Sequence, residues 1–173
     1  MKRDFQNDIR HAVKDYEALH TRVLDAVVKR RQSKEDHIAW KDACTAWNGH
    51  RSILNTFEND DALNRLEDGD PDLLDLAIAF VEVNPFYFRS GYLKKRLFRR
   101  LKHLKLTDTQ RRRILMGILS AIRSQQGNGW KDFCSLATAF ADSDFISSVS
   151  RFAEDADSHV VRRANLLLKY LVK

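Results

Sequence analysis

The sequence predicts an all-α protein, and three observations lead to that class. Apolar residues recur every three or four positions along most of the chain, which is the spacing of one helix face. The 173 residues include only two prolines and six glycines, too few for a fold of many short strands. Polar residues also stand where helix starts need a cap. A chain of this length forms about one domain, so residues 1–173 are treated as a single domain.

Two long helices are predicted within residues 1–57. The first extends from Phe5 to Val28, and Ser33 caps the second. The apolar stripe of the second helix is Ile38, Trp40, Ala43, Cys44, Trp47, Leu54 and Phe57. We expect the two helices to form a long antiparallel hairpin. Trp40, Cys44 and Trp47 share one face of the second helix, and that pattern favours core packing over a ligand pocket.

Residues 58–70 form an acidic connection with a short helix around Ala62–Leu66. Asp70 before Pro71 is typical of an N-cap followed by proline at the first helical position, because proline lacks the donor that this position leaves unpaired. The next helix is predicted over Pro71–Val83. Its last five residues, AFVEV, also fit a short strand, but no partner strand is recognisable elsewhere, so the helix is preferred.

The same start signal recurs at Asn84-Pro85 and predicts a basic helix that extends to Leu104. Its apolar line is Phe86, Leu93, Leu97, Leu101 and Leu104. Thr107 and Gln110 form a capping box, which predicts the start of a helix over 108–124. The connection after that helix ends in Gly127, Asn128 and Gly129. Three further helices are predicted over 130–141, 143–154 and 158–172.

The carboxy-terminal piece resembles the second helix of a HEAT-type repeat. Asp157 takes the place of the cap, Val160 and Ala164 pack inward, Arg162 or Arg163 lies beside them, and Leu167 and Leu168 complete the core. First-helix starts at 71, 108 and 143 recur at intervals close to the length of such repeats. The resemblance implies a right-handed array of about three hairpins over 71–173, pairing 71–83 with 86–104, 108–124 with 130–141, and 143–154 with 158–172. It implies a scaffold for binding proteins or nucleic acids, and no chemistry.

The sequence carries no signal for secretion, for a membrane span or for a disulfide framework. The first ten residues have no apolar stretch of the kind that signal peptides carry. The longest apolar run, Leu76–Val81, is far shorter than the roughly 20 residues of a membrane span. Cys44 and Cys134 are too isolated to define a disulfide framework. We therefore expect a soluble, cytoplasmic protein with two reduced thiols and no membrane partner.

Metal and cofactor sites are not expected either. Asp68, Asp70 and Asp72 alternate like the start of a calcium loop, but Leu73 stands where that loop needs glycine and Ala79 where it needs glutamate. The six histidines show no helical pair and no cysteine at zinc-ligand spacing. No phosphate loop or nucleophile motif is present. The sequence therefore predicts a protein that is not an enzyme and has no cofactor.

The positive charge is concentrated in one segment. Residues 89–113 carry a net charge of +10, whereas residues 1–88 carry −5 and residues 114–173 carry +1. Like charges three or four positions apart on a helix repel one another. Three explanations are open: a solvated helix face, compensation by the acidic residues of Glu58–Asp75 in the same chain or in a neighbouring copy, and an anionic partner.

We expect a non-catalytic protein-interaction module that binds an acidic protein partner, such as a small immunity or antitoxin-type protein or an adaptor. The predicted partner-binding residues are Arg89, Lys94, Lys95, Arg96, Arg99, Arg100, Lys102, Arg111, Arg112 and Arg113. The alternative is sequence-nonspecific nucleic-acid binding, including a HEAT-like DNA-repair type whose catalytic residues have no match here. That alternative is favoured if the rings among Phe86, Tyr87, Phe88 and Tyr92 are exposed for stacking.

Overall fold

The computed structural model describes residues 3–125, 127 and 129–172. Helices hold 77% of these residues, and none of them lies in a strand. The predicted all-α class is therefore confirmed, including the helical form of AFVEV. Among these residues no helix is both long and apolar enough to cross a bilayer. The helices are α1 Phe5–Lys29, α2 Lys34–Gly49, a 3-10 helix Ile53–Glu58, α3 Asp60–Glu67, α4 Pro71–Val83, α5 Ser90–Leu101, α6 Asp108–Ser124, α7 Trp130–Ala137, α8 Ser143–Phe152 and α9 Ser158–Leu171.

Most of these helices lie side by side in two rows, which we call the first and second layers. In the first layer α1 packs on α4, α4 on α6 and α6 on α8; in the second α3 packs on α5, α5 on α7 and α7 on α9. Fully buried side chains such as Phe80, Leu97 and Phe133 form one continuous core with residues of both layers. Gly117 brings α6 so near α4 that a β-carbon there would lie 3.1 Å from the backbone of Glu82.

The predicted caps at Asp70 and Thr107 are confirmed, and both depend on local signals. The Asp70 carboxylate accepts hydrogen bonds from the backbone nitrogens of Asp72 and Leu73, each at 3.1 Å. The Thr107 hydroxyl accepts from the backbone nitrogen of Gln110 at 3.3 Å, and the Gln110 side-chain oxygen accepts from the backbone nitrogen of Thr107 at 2.9 Å. These bonds satisfy amide groups that a helix start leaves without a partner.

The second helix of the amino-terminal hairpin is shorter than predicted. It ends at Gly49, and His50 adopts an extended conformation. Ser52 and Asn55 then form a capping box for the 3-10 helix, with the Asn55 side-chain oxygen 2.9 Å from the backbone nitrogen of Ser52. The predicted core residues Leu54 and Phe57 are buried, but the 3-10 helix carries them. The continuing apolar stripe concealed this break, because two separate helices can bury residues in the same core.

The predicted start of the basic helix at Asn84-Pro85 is wrong. Asn84 has φ +48° and ends α4, with its backbone nitrogen 3.1 Å from the carbonyl oxygen of Phe80. Asparagine is one of the few residues that tolerates this left-handed conformation, which is common at helix ends. Arg89, at φ +71°, precedes the true start of α5 at Ser90. Helix α7 also ends early, at Ala137, and Asn128 lies outside the described residues.

Candidate functional site

Three arginines of the basic segment are neutralised by residues of the same chain. Arg96 forms an ion pair with Asp60, and its guanidinium also donates to the carbonyl oxygen of Glu58 at 3.1 Å. Arg100 pairs with Glu67 at 2.6 Å. We call Arg96, Arg100 and Arg113 the paired arginines, because each forms an ion pair with an acidic residue that precedes it in the chain. The compensation by Glu58–Asp75 that the sequence left open therefore exists for part of the segment.

Arg113 has the most complete set of contacts among the paired arginines. Its guanidinium donates two hydrogen bonds of 2.8 Å to the Glu82 carboxylate and one of 2.9 Å to Asp75. Glu82 also accepts a hydrogen bond from Gln6 of α1 at 2.9 Å. The bonds to Glu82 raise the pKa of the Arg113 guanidinium. This two-pronged geometry ties α6 to α4 and, through Gln6, to α1.

Lys94 is buried, in contrast to its predicted place on a binding surface. Only 3% of its surface is exposed. Its ammonium group donates to the side-chain oxygen of Asn84 at 2.6 Å, and the Asn84 amide donates to Gln125 at 3.1 Å. Burial lowers the pKa of Lys94 to about 8. This lysine holds the bend between α4 and α5 and does not belong to the exposed surface.

Lys95, Arg99 and Lys102 form what we call the α5 face. Within the described part of the chain none of the three makes an ion pair. They line a groove of about 240 Å³ between α5 and α7, opposite Asp132 and Ser135. Burial raises the pKa of Asp132, and the positive charges of Lys95 and Arg99 oppose that shift. Sequence inspection missed Asp132, since only the packing of α7 on α5 brings it to these cations.

Aromatic rings continue this surface at the amino-terminal end of α5. Tyr87 is buried, whereas Phe88 is 49% and Tyr92 70% exposed. The Arg89 guanidinium lies 5.5 Å from the ring centre of Phe88, and that of Arg96 lies 5.9 Å from Tyr92. Such distances allow cation–π attraction. Exposed rings and cations therefore alternate from Phe88 to the α5 face. We call this stretch the aromatic end of the α5 face.

Phe88 also connects this surface to the amino-terminal hairpin. Its ring centre lies 5.6 Å from those of both His20 in α1 and Trp47 in α2. Trp47 in turn stacks on His20 at 5.0 Å. The expected core stripe of Trp40, Cys44 and Trp47 is only half-buried, so it marks the edge of the hairpin. No local signal in the sequence predicted that these rings would meet Phe88.

Arg111 and Arg112 lie elsewhere, on the exposed side of α6 in the first layer. Arg111 is 3.8 Å from Asp108 one turn earlier, and no ion pair of Arg112 occurs among the residues that the structure describes. Both line a groove against α8. The ten predicted binding residues therefore occupy three environments. The paired arginines and Lys94 lie in internal ion pairs or are buried. Arg89 and the α5 face lie on the second-layer surface, and Arg111 and Arg112 line this first-layer groove.

Cys134 is not an activated thiol of the kind that nucleophilic catalysis needs. Both Cys44 and Cys134 are free, and burial raises the pKa of Cys134 to about 12. Within residues 3–125, 127 and 129–172, no three histidine, cysteine or acidic side chains stand close enough to hold a metal ion.

No protein-family model matches this chain, and no curated protein or solved structure is detectably similar to it. No family and no repeat is identified in this way. The functional interpretation therefore depends on the packing of the helices and on the surfaces that they present.

Proposed function

We propose that this protein is a non-catalytic interaction module that binds an acidic surface of another protein through the α5 face. The observation that carries the proposal is a contrast within the basic segment, residues 89–113. The paired arginines form ion pairs with carboxylates of the same chain, whereas Lys95, Arg99 and Lys102 form none among the described residues. Lys95 and Arg99 are exposed and Lys102 is half-buried. Charges of one sign that lack such a pair accelerate encounters with partners of the opposite sign and select among them.

The aromatic end of the α5 face supports a protein partner in particular. Tyrosine and arginine are enriched among the residues that contribute most to protein–protein affinity, because they combine a large contact area with a polar group. Tyr92 lies one turn before Lys95 and Arg96, so its ring and the cations face the same partner. We expect Tyr92 to fill a pocket of the partner while the cations fix the orientation.

The order of helix packing supports a HEAT-like arrangement for residues 71–173. In such arrays the first helices of successive hairpins pack on one another, and so do the second helices. The sequences of contacts α4–α6–α8 and α5–α7–α9 follow that order. In this proposal α5, α7 and α9 form one shared binding surface. A small binder of this kind suits an immunity or antitoxin-type protein or an adaptor.

Charge reversal tests the proposal. A variant with K95E, R99E and K102E should lose the acidic partners that the unchanged protein retains from a cell lysate. The matched control reverses Lys14, Arg22 and Lys29, three exposed cations of α1, with the same total change in charge. An α5 variant that retains the same partners in the same amounts as the control would contradict the proposed surface.

A second candidate function is binding of single-stranded nucleic acid, and the exposure of Phe88 and Tyr92 favours it. Bases stack on exposed aromatic rings while neighbouring cations contact the phosphates. With Arg89 and the three cations of the α5 face on phosphates, log affinity should fall with log salt with a slope of about −3. Fluorescence anisotropy with a labelled oligonucleotide measures this slope. F88A and Y92A should each weaken such binding by about 1–3 kcal/mol, and absence of binding at low salt eliminates this candidate.

A further inference from the structure

A groove between α6 and α8 in the first layer has no role in the proposed function. Its volume is about 680 Å³, and both apolar and charged residues line it. Among the apolar lining residues Leu115 and Phe145 are buried, whereas Met116 is 60% exposed. A large, flexible apolar side chain that lines a groove and stays in contact with water favours contact with another apolar surface.

The two walls of this groove carry net charges of opposite sign. Arg111, Arg112 and Asp108 line it from α6, and Asp142 and Asp144 line it from α8. Asp108 pairs with Arg111 at 3.8 Å, so Arg112 is the cation of the α6 wall without such a pair among the described residues. The Asp142 carboxylate is occupied, because it caps α8 by accepting from the backbone nitrogen of Phe145 at 2.7 Å. In the described part of the chain, neither the Asp144 carboxylate nor the Arg112 guanidinium forms an ion pair or a side-chain hydrogen bond. The two lie on opposite walls and do not reach each other.

We propose that this groove is the contact face between two copies of the chain related by a two-fold axis. A two-fold interface must be complementary to itself, since each residue meets the partner residue that lies across the axis. Arg112 on the α6 wall and Asp144 on the α8 wall meet this condition, with apolar lining residues between them. The rotation places Arg112 of each copy opposite Asp144 of the other, and each Met116 packs against the groove of the other copy.

The same charges disfavour other occupants of the groove. A uniformly acidic partner would match Arg111 and Arg112 but would be repelled by Asp144, and a uniformly basic partner would meet the reverse problem. The α5 face carries mainly one sign of charge and is suited to an acidic partner, whereas this groove carries both. Because the α5 face belongs to the other layer, self-association through the groove does not depend on the proposed function.

Sedimentation of the full chain between about 1 and 200 μM tests the proposal. The unchanged protein should convert from monomer to dimer within this range. In an R112E dimer the new glutamate of each copy faces Asp144 of the other, and in a D144R dimer the new arginine faces Arg112. Each variant therefore places two pairs of like charges across the axis. Each should raise the dimer dissociation constant by more than about 30-fold. The control variants R162E and D15R make the same changes at exposed positions of α9 and α1 and should dimerise like the unchanged protein.

Mixing the two groove variants gives the decisive measurement. When one R112E chain meets one D144R chain, one contact across the axis joins the two substituted side chains, and the other joins the unchanged Asp144 and Arg112. Both contacts then pair opposite charges, so the mixture should dimerise although each variant alone stays monomeric.

Circular dichroism verifies that these variants fold. R112Q and D144N supply a milder pair of variants that should weaken dimerisation without repulsion. A monomeric unchanged protein at about 200 μM, single variants that dimerise normally, or a mixture that stays monomeric would each overturn the proposal.

Discussion

The paired arginines and the α5 face carry the same charge in the same segment and differ in what surrounds them. Each paired arginine reaches carboxylates from the acidic connection or from α4, whereas the α5 face is directed to α7 and to solvent. The dense basic run thus contains two kinds of residue: cations in ion pairs between elements of the fold, and cations that form no ion pair among the described residues. The orientation of α5 between α3 and α7 determines which residue belongs to which kind.

The largest expected effect separates Arg113 from its neighbour Arg112. R113M removes three hydrogen bonds and, among the described residues, leaves the half-buried Glu82 with Gln6 as its one side-chain donor. The free energy of unfolding should fall by about 2–3 kcal/mol, because a partly buried carboxylate loses its counter-charge. R112M, at an exposed position, should change it by less than about 0.5 kcal/mol. Urea denaturation measures both, and equal effects would remove the distinction between the two environments.

A somewhat smaller effect is expected from Lys94 and depends on pH. Its pKa is about 8 in the folded protein and about 10.4 in the unfolded chain. Below pH 8 the amine is protonated in both states, and the folded state bears the cost of burying it. Stability relative to K94M should therefore rise between about pH 8 and 10, by about 2 kcal/mol in total.

The comparison with K94M is needed because Cys134 acts in the opposite direction. Burial raises the pKa of Cys134 to about 12, so ionisation of this thiol in the unfolded chain lowers stability above about pH 8.5. Both proteins contain Cys134, and the difference between their denaturation curves cancels its contribution. If the free energies of unfolding of the two proteins changed with pH in parallel across this range, Lys94 would not be buried as a charged group.

The smallest effect distinguishes Arg100 from Arg99. Arg100 and Glu67 form an ion pair in which each side chain is 39% exposed, and such exposed pairs contribute little because water screens them. R100M should therefore lower the unfolding free energy by about 0.5 kcal/mol, and R99M should leave it unchanged within error. Thermal denaturation at low and high salt compares them. A salt-sensitive loss in R99M would instead identify Asp132 as a partner of Arg99.

The sequence predicted best those features that depend on neighbouring residues. The caps at Asp70 and Thr107 involve groups no more than three positions apart, so the pattern contains both partners. Asn84-Pro85 misled the prediction because asparagine serves both as an N-cap and as a left-handed helix end, and the sequence does not distinguish these uses. The pairing of Arg96 with Asp60 spans 36 positions, and only the packing of α5 on α3 creates it.

The sequence contained a signal for the burial of Lys94, but the predicted apolar line of the helix was too narrow to include it. Leu93, Leu97 and Leu101 define one buried stripe, but Phe98 is also buried and lies four positions after Lys94. A stripe this wide includes position 94, as the usual breadth of a core-facing helix surface implies. The exposure of Phe88 and the position of Asp132 had no comparable signal, since both follow from contacts between distant elements.

Helix α2 is attached to the rest of the protein in an unusual way. Among the described helices it packs only on α1, and its Trp47 adds contacts with Phe88. A helix with one neighbouring helix can separate locally while the core of both layers stays intact. Its backbone amides should then exchange with deuterated solvent through this local opening, whereas those of α4 and α6 wait for global unfolding. A partner that covers Phe88 would slow exchange in α2, although it need not touch that helix.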